Sequence, residues 1–488
     1  MPNKKNLILI FLIIIPLNIF AQQEEYIRVV GDSLVGRMVN GESIREVFGH
    51  VILTQGNVRI TCNHAIQYLS RNDAELIGNV VATQDTLTIT TPKAFYYGNE
   101  RKAKSVSGLK LDDKKVILTA DSGVYFFNEH KAVFETEVNL FDTSSTLTSN
   151  KLTYFKDEGK AIAVGDVKIV QGNNIIVADS LIHFRETKIT YAFNNVRVSS
   201  TTNNSFIYGD HLEDFPNKHY SIVDKNPLFL QIDTSFGEKA DTSSDKKIKD
   251  TLLVMQLDTL VIQSLKMEAF RDTINIFKAE DSVKIVRGAF ASRNDYTEYF
   301  RTKGIIVTKK INQHANQPVI WYENSQLTGD SVTIFLVKNK ITRLEVDNNA
   351  FIMSQNEIYK KRFDQMSGSK IMIYFNDVGI RLTEVYGGVH SIYYLYNDNS
   401  PNGLTKSSSE TSKIYFDDKK VSTVKLYGTP TSEFYPENKV KGDELAFTLP
   451  GFIIHKNRPL KNDLLSAISK KKFPEIVPHT KVSTINLK

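Results

Sequence analysis

A period constrains this chain more than any other feature. An apolar residue, usually just after a Gly-Asn, Gly-His or Gly-Asp pair, falls at Val51, Val80, Leu109, Val138, Val167 and Val196, 29 residues apart each time. A second apolar column follows two residues later, at Leu53, Ala82, Leu111, Leu140, Ile169 and Val198. Beyond a polar turn comes a third, at Ile60, Ile89, Leu118, Leu147 and Ile176. An aromatic column stands at Tyr68, Tyr97, Phe126, Phe155 and Phe184, preceded two positions earlier by Ile66, Phe95, Val124, Thr153 and Ile182. Alanines recur past the next turn, at Ala74, Ala103, Ala132 and Ala161, where they fit a narrow edge or leave room for a ligand. Period-2 alternation places the columns on one face of a sheet. Each unit reads as about three short strands joined by polar turns. A unit so small cannot bury its own apolar face, so neighbours must stack.

The chain is therefore all-β. The 21 Tyr and 28 Phe, the short Val/Ile/Thr runs and only 13 Pro agree with strands. Helix signals are confined to "LLSAISKKK" from Leu464. Two architectures fit: an open, twisted jelly-roll-like stack of antiparallel strands, and a parallel β-helix. The theme shifts register by two residues in "STTNNSF", so that Phe215 follows Phe184 by 31. It then returns in looser form at Phe300, Phe335, Phe375, Phe416 and Phe447. The polar stretch Asp233–Asp250 reads as a boundary. The expected organisation is a signal peptide over 1–21, a repeat block over 22–235, a linker over 236–250, a second block over 251–455 and a basic tail over 456–488.

The leader carries a basic start, "MPNKK", an apolar run from Leu7 to Phe20, and Ala21 at a cleavage position. This predicts export, with an uncleaved anchor as the alternative. The formal charge of +6 is too mild over 488 residues to point to nucleic acid. With a single cysteine, Cys62, an intrachain disulfide framework is excluded.

Three motifs suggest chemistry and are better read as repeat steps. "GDSL" at Gly31–Leu34 matches a lipase nucleophile motif, yet "GDSV" at Gly329 and "ADS" at Ala120 and Ala178 put the serine at a recurring position. Cys62 and His64 form a lone C-x-H, short of a metal site. Asp121, Asp179 and Asp210 share one step, as a turn residue would. No catalytic residue, metal site or cofactor is expected.

The openings "GNV" and "GDV", and the "ADS" steps in "AVGDVKIVQGNNIIVADSLIHF", resemble the OstA-like family. That family includes the periplasmic lipopolysaccharide-transport protein LptA and the periplasmic part of LptD. The resemblance is strong over residues 30 to about 235 and weak over 251–455. It implies a slightly open jelly roll whose apolar interior shields lipopolysaccharide acyl chains during transport through the periplasm to the outer membrane, without catalysis. It also implies LptC-like inner-membrane and LptD-like outer-membrane partners, and head-to-tail self-association through edge strands. The candidate edges are "YIRVVGDSLVG" from Tyr26 and "ELAFTLPGFII" from Glu444. The expected groove residues are Ile60, Tyr68, Val80, Ile89, Phe95, Tyr97, Leu118, Phe126, Val138, Leu147, Phe155, Val167, Ile176 and Phe184. Shielding has a strong physical motive, since each buried methylene is worth about 0.8 kcal/mol. Two rival readings are an exported β-solenoid that binds glycans or proteins and a β-helix polysaccharide lyase or hydrolase.

Overall fold

The computed structural model describes residues 26–200, 202, 204–239, 252–398, 400–417 and 420–466. The expected signal peptide lies outside them, as does most of the basic tail. Two compact units divide at Lys131 and Ala132. Within each, strand follows strand in an antiparallel meander, which excludes the parallel β-helix and gives an antiparallel β-jelly-roll stack.

The jelly roll comes from a corner in the middle of every rung. In strand Glu42–Gln55 the corner is Gly49-His50, in Asp73–Gln84 it is Gly78-Asn79, and in Lys160–Gln171 it is Gly165-Asp166. Both residues of each pair have positive φ, for example 81° at Gly165 and 47° at Asp166. Two residues there oppose one on the neighbouring strand, a bulge that bends the strand. Gly165 is needed twice over, because a Cβ in this left-handed backbone would also lie 2.9 Å from Asn150 Nδ2. The Gly-Asn and Gly-Asp pairs of the repeat are thus corners, and the bend folds each rung into two facing walls.

The opposing strand answers with an Asn or Asp: Asn150 Nδ2 donates to Asp166 Oδ2 at 3.0 Å, and Asn195 Nδ2 donates to Asp179 Oδ2 at 2.8 Å. This explains the recurring "ADS" and "GDS" steps. In the first of them, His50 Nδ1 lies 2.8 Å from Asp32 Oδ2, both side chains are exposed, and no hydrogen bond joins Ser33 to either. Cys62 is buried, and its thiol donates to the His64 carbonyl at 3.2 Å.

The corner also corrects one expectation. In strand Val58–Tyr68 the buried positions are Val58, Ile60 and Cys62, then Ala65 and Gln67, so the inward parity changes by one at the bend. Tyr68, Phe95, Tyr97, Phe126, Phe155 and Phe184 therefore lie on the outer face, half-buried, and do not line the interior. Lys102 covers Tyr97, Lys131 covers Phe126 and Lys160 covers Phe155, at 4.8, 4.8 and 5.4 Å from the ring centres. The inward residues are one position earlier: Gln67, Tyr96, Tyr125, Tyr154 and His183. The alanine column makes room for them, with Ala74 paired to Tyr96 and Ala161 to Tyr154.

The expected linker, 236–250, lies mostly outside the described residues; the strand ahead of it, Leu228–Lys239, is matched along its length by Leu252–Gln263 in one antiparallel pair. Strand pairing passes through it without interruption. At the other end, the expected edge strand from Glu444 is not a strand. Glu444–Ala446 is a turn of 3-10 helix, and the following residues to Leu460 carry no strand. This segment runs back along the second unit, held by side chains that replace a ladder. Gln365 bonds the Phe447 carbonyl and the Leu449 N–H, Gln326 bonds the Ile453 carbonyl and the His455 N–H, and Arg362 clamps Glu437 with two nitrogens. Pro450 and Gly451, in "TLPGF", suit such an irregular strap. The strap ends in a short helix, Lys461–Ser466, whose Leu464 packs on Trp321 and Leu230. Among the described residues the N-terminal candidate does form an edge: Arg28–Val30 and Ser33–Val39 pair with Glu42–Gln55 on one side only.

Candidate functional site

Two walls leave an interior, and the two units treat it differently. In the first unit it is filled and closed. Ile60, Val80 and Ile89 are buried there around a void of about 20 Å³, and Leu118 is buried too. Side chains at the strand ends bridge the walls: Gln55 Nε2 donates to the Gly98 carbonyl at 3.0 Å, and Tyr96 Oη donates to Gln55 Oε1 at 2.6 Å. One repeat on, Gln84 Nε2 donates to the Phe127 carbonyl at 3.1 Å. Gln55, Gln84 and Tyr96 thus bridge the walls of the first unit.

The second unit departs from this where the 29-residue register breaks. Of the expected groove residues, Val138, Leu147, Val167 and Ile176 are buried inside it. The residues at the wall tips there are Gln171 and Ser200 on one side, Asp214 and Arg271 on the other, and no hydrogen bond joins the two sides. Between them lies a cavity of about 330 Å³. Ile176, Ile207, Leu212, Val223, Phe229 and Phe277 give it an apolar body. Asp214 is buried and satisfied: Ser221 Oγ donates to it at 2.6 Å and Arg271 at 2.7 Å.

A second cavity, about 640 Å³ and mainly polar, lies beside the first and shares Asn275 and Arg301 with it. Its walls include Asp233, Asp258, Arg287 and Lys338. Arg287 is committed to both acids, at 3.0 Å to Asp233 and 2.7 Å to Asp258. Arg301 is different. Its guanidinium stands over the rings of Phe229 and Phe277, 5.2 and 5.8 Å from their centres, and makes no hydrogen bond or ion pair among the described residues. Burial pulls its pKa below the usual arginine value, with Tyr299 acting the other way.

Of the fourteen expected residues, the structure brings only Ile176 to the large apolar cavity. The rest of its lining comes from Ile169, Gln171, Asn174, Val198 and Ser200, in the regular repeats, and from residues between Ser205 and Arg301, where the columns have lost step. The signal available was the basic residue following the aromatic in "DYTEYFR", the same aromatic-then-basic order as in the outer column.

The chain is a bent antiparallel stack with an apolar interior, which holds a void of about 20 Å³ in the first unit and a cavity of about 330 Å³ in the second. The model of the OstA-like protein family matches residues 31–171. The match ends where the large cavity begins. Among solved structures, the chain matches LptH from Pseudomonas aeruginosa, described as the LptA-homologous periplasmic component of the conserved lipopolysaccharide transport device. Identity is 14% over 35% of this chain and 84% of that one, with a TM-score of 0.10, too low to bear on fold or function. A comparison with curated proteins gives no match. No helix among the described residues is long and apolar enough to cross a membrane.

Proposed function

We propose that this chain is a non-enzymatic carrier of lipopolysaccharide in the periplasm, and that it shelters acyl chains inside the second unit. The observation that carries the reading is the contrast between the units. The same fold closes over a void of about 20 Å³ in one and keeps about 330 Å³ of largely apolar space in the other. Well-packed interiors hold few voids larger than a water molecule, so a cavity of this size within a β core suits a ligand. The OstA-like match supports lipopolysaccharide as that ligand. The unpaired edge Ser33–Val39, with Leu34, Val35 and Met38 exposed, suits strand addition to a second copy or to LptC-like or LptD-like partners.

The test is photo-crosslinking in living cells of the native bacterium. A crosslinking amino acid at Ile207, inside the large cavity, is expected to give a lipopolysaccharide adduct. The same replacement at Phe126, on the outer face, should give none. Adducts at neither site, or equally at both, would sink the carrier reading.

A further inference from the structure

We propose that Arg301 is the seat for an anionic head group, so that the second unit selects acidic amphiphiles over neutral ones. The inference rests on the carrier reading and deepens it. A guanidinium presents five donors that want acceptors, and Arg301 is half-buried against two aromatic rings that offer none. The two arginines nearest in role have theirs: Arg271 is paired with Asp214, and Arg287 with Asp233 and Asp258. Among the described residues, Arg301 alone of the three has no acid. The faces of Phe229 and Phe277 offset part of its charge, and they also hold its fork in place.

Its position decides what kind of anion would complete it. Arg301 and Asn275 form the common wall of the apolar cavity and the polar one. A ligand that reaches Arg301 from the apolar side must carry a chain, and its charged end must emerge on the polar side. On that side Lys338 has no acidic partner among the described residues, while the two acids are already taken up by Arg287. The excess is positive. A phosphate monoester or a carboxylate on an acyl chain meets both requirements, and arginine binds either with two parallel hydrogen bonds.

The experiment measures binding by the purified full chain, using calorimetry below the micelle concentration of each probe. The probes are oleoyl lysophosphatidate, the neutral monoolein and inorganic phosphate. Arg301→Gln is compared with Lys303→Gln, which removes the same charge from an exposed neighbour, and with Arg301→Lys, which keeps the charge without the fork. Thermal melting confirms that each variant is folded. The expected result is a 10- to 100-fold loss of lysophosphatidate affinity in Arg301→Gln, with monoolein changed less than threefold and Lys303→Gln unchanged. Arg301→Lys should recover part of the loss. If lysophosphatidate and monoolein bind alike and Arg301→Gln alters neither, the head-group seat is overturned while the carrier reading stands. If neither lipid binds, both fall. If inorganic phosphate binds as tightly as lysophosphatidate, Arg301 belongs to an anion site with no use for a chain, and the amphiphile proposal is overturned.

Discussion

Tyr154 is fully buried, paired across the strands with Ala161, and its hydroxyl accepts a hydrogen bond from Arg185 Nη1 at 2.9 Å. Phe155, one residue on, lies half-buried outside beneath Lys160. Tyr154→Ala is therefore expected to destabilise the second unit by about 3–5 kcal/mol, and Phe155→Ala by about 1 kcal/mol, read by urea unfolding. Equal costs would restore the aromatic column to the interior. The aromatic column was legible in the sequence because its spacing is regular; its face was not. A period-2 reading assumes an unbroken strand, and one residue gained at the bend exchanges inside for outside. Asp364 offers a second test at this scale. Burial raises its carboxyl pKa from 3.8 to about 7, against the opposing hydrogen bond donated by Tyr394 N–H at 2.9 Å. Because the folded state holds the proton more tightly, stability is greatest below about pH 4 for this group and is lost as pH rises towards 7. Asp364→Asn keeps the acceptor and loses the titration. It should raise the melting temperature at pH 8, by about 1–2 kcal/mol in stability, and make little difference at pH 4.

At the scale of elements, the corner and the strap divide along the same line of legibility. The Gly-Asp and Gly-Asn pairs stood out in the sequence as markers opening each repeat. That they are bends with two residues at positive φ needed coordinates, since the same dipeptides also make hairpin turns. Gly165→Val should cost about 1–3 kcal/mol, more than Gly172→Val in the adjoining hairpin turn, where nothing crowds a Cβ. A similar cost at both sites would mean that the crowding by Asn150 is relieved at no expense. The strap was misread as a strand because "ELAFTLPGFII" is apolar; its backbone is met by glutamine side chains from strands more than 80 residues away, a pairing no local pattern encodes. Arg362 is its anchor, with a side chain 3% exposed and two nitrogens on Glu437. Arg362→Met leaves that carboxylate without its partner, and should cost about 3 kcal/mol and open residues 437–455 to proteolysis before the strands.

For the molecule as a whole, a shared fold has been put to two uses, and overpacking separates them. Two successive rungs of the first unit present a glutamine to the same carbonyl position, Gln55 to Gly98 and Gln84 to Phe127; the wall-tip residues beside the larger cavity make no such bond among the described residues. Val80 in the first unit and Val223 in the second are both buried, at 2% and 3% exposure, yet one borders about 20 Å³ and the other about 330 Å³. Val80→Phe must push its neighbours aside, which typically costs about 1–3 kcal/mol. Val223→Phe can direct its ring into existing space, so its cost should stay below about 1 kcal/mol. The cavity it occupies is the one proposed for acyl chains. Val223→Phe should consequently weaken lysophosphatidate and monoolein binding together, by tenfold or more, while melting close to the parent protein. Val80→Phe should do the reverse, melting early and binding both lipids as before. If Val223→Phe binds lipid undiminished, the chains lie somewhere other than between the walls of the second unit. If Val80→Phe abolishes binding while remaining folded, the sealed first unit must open to take part.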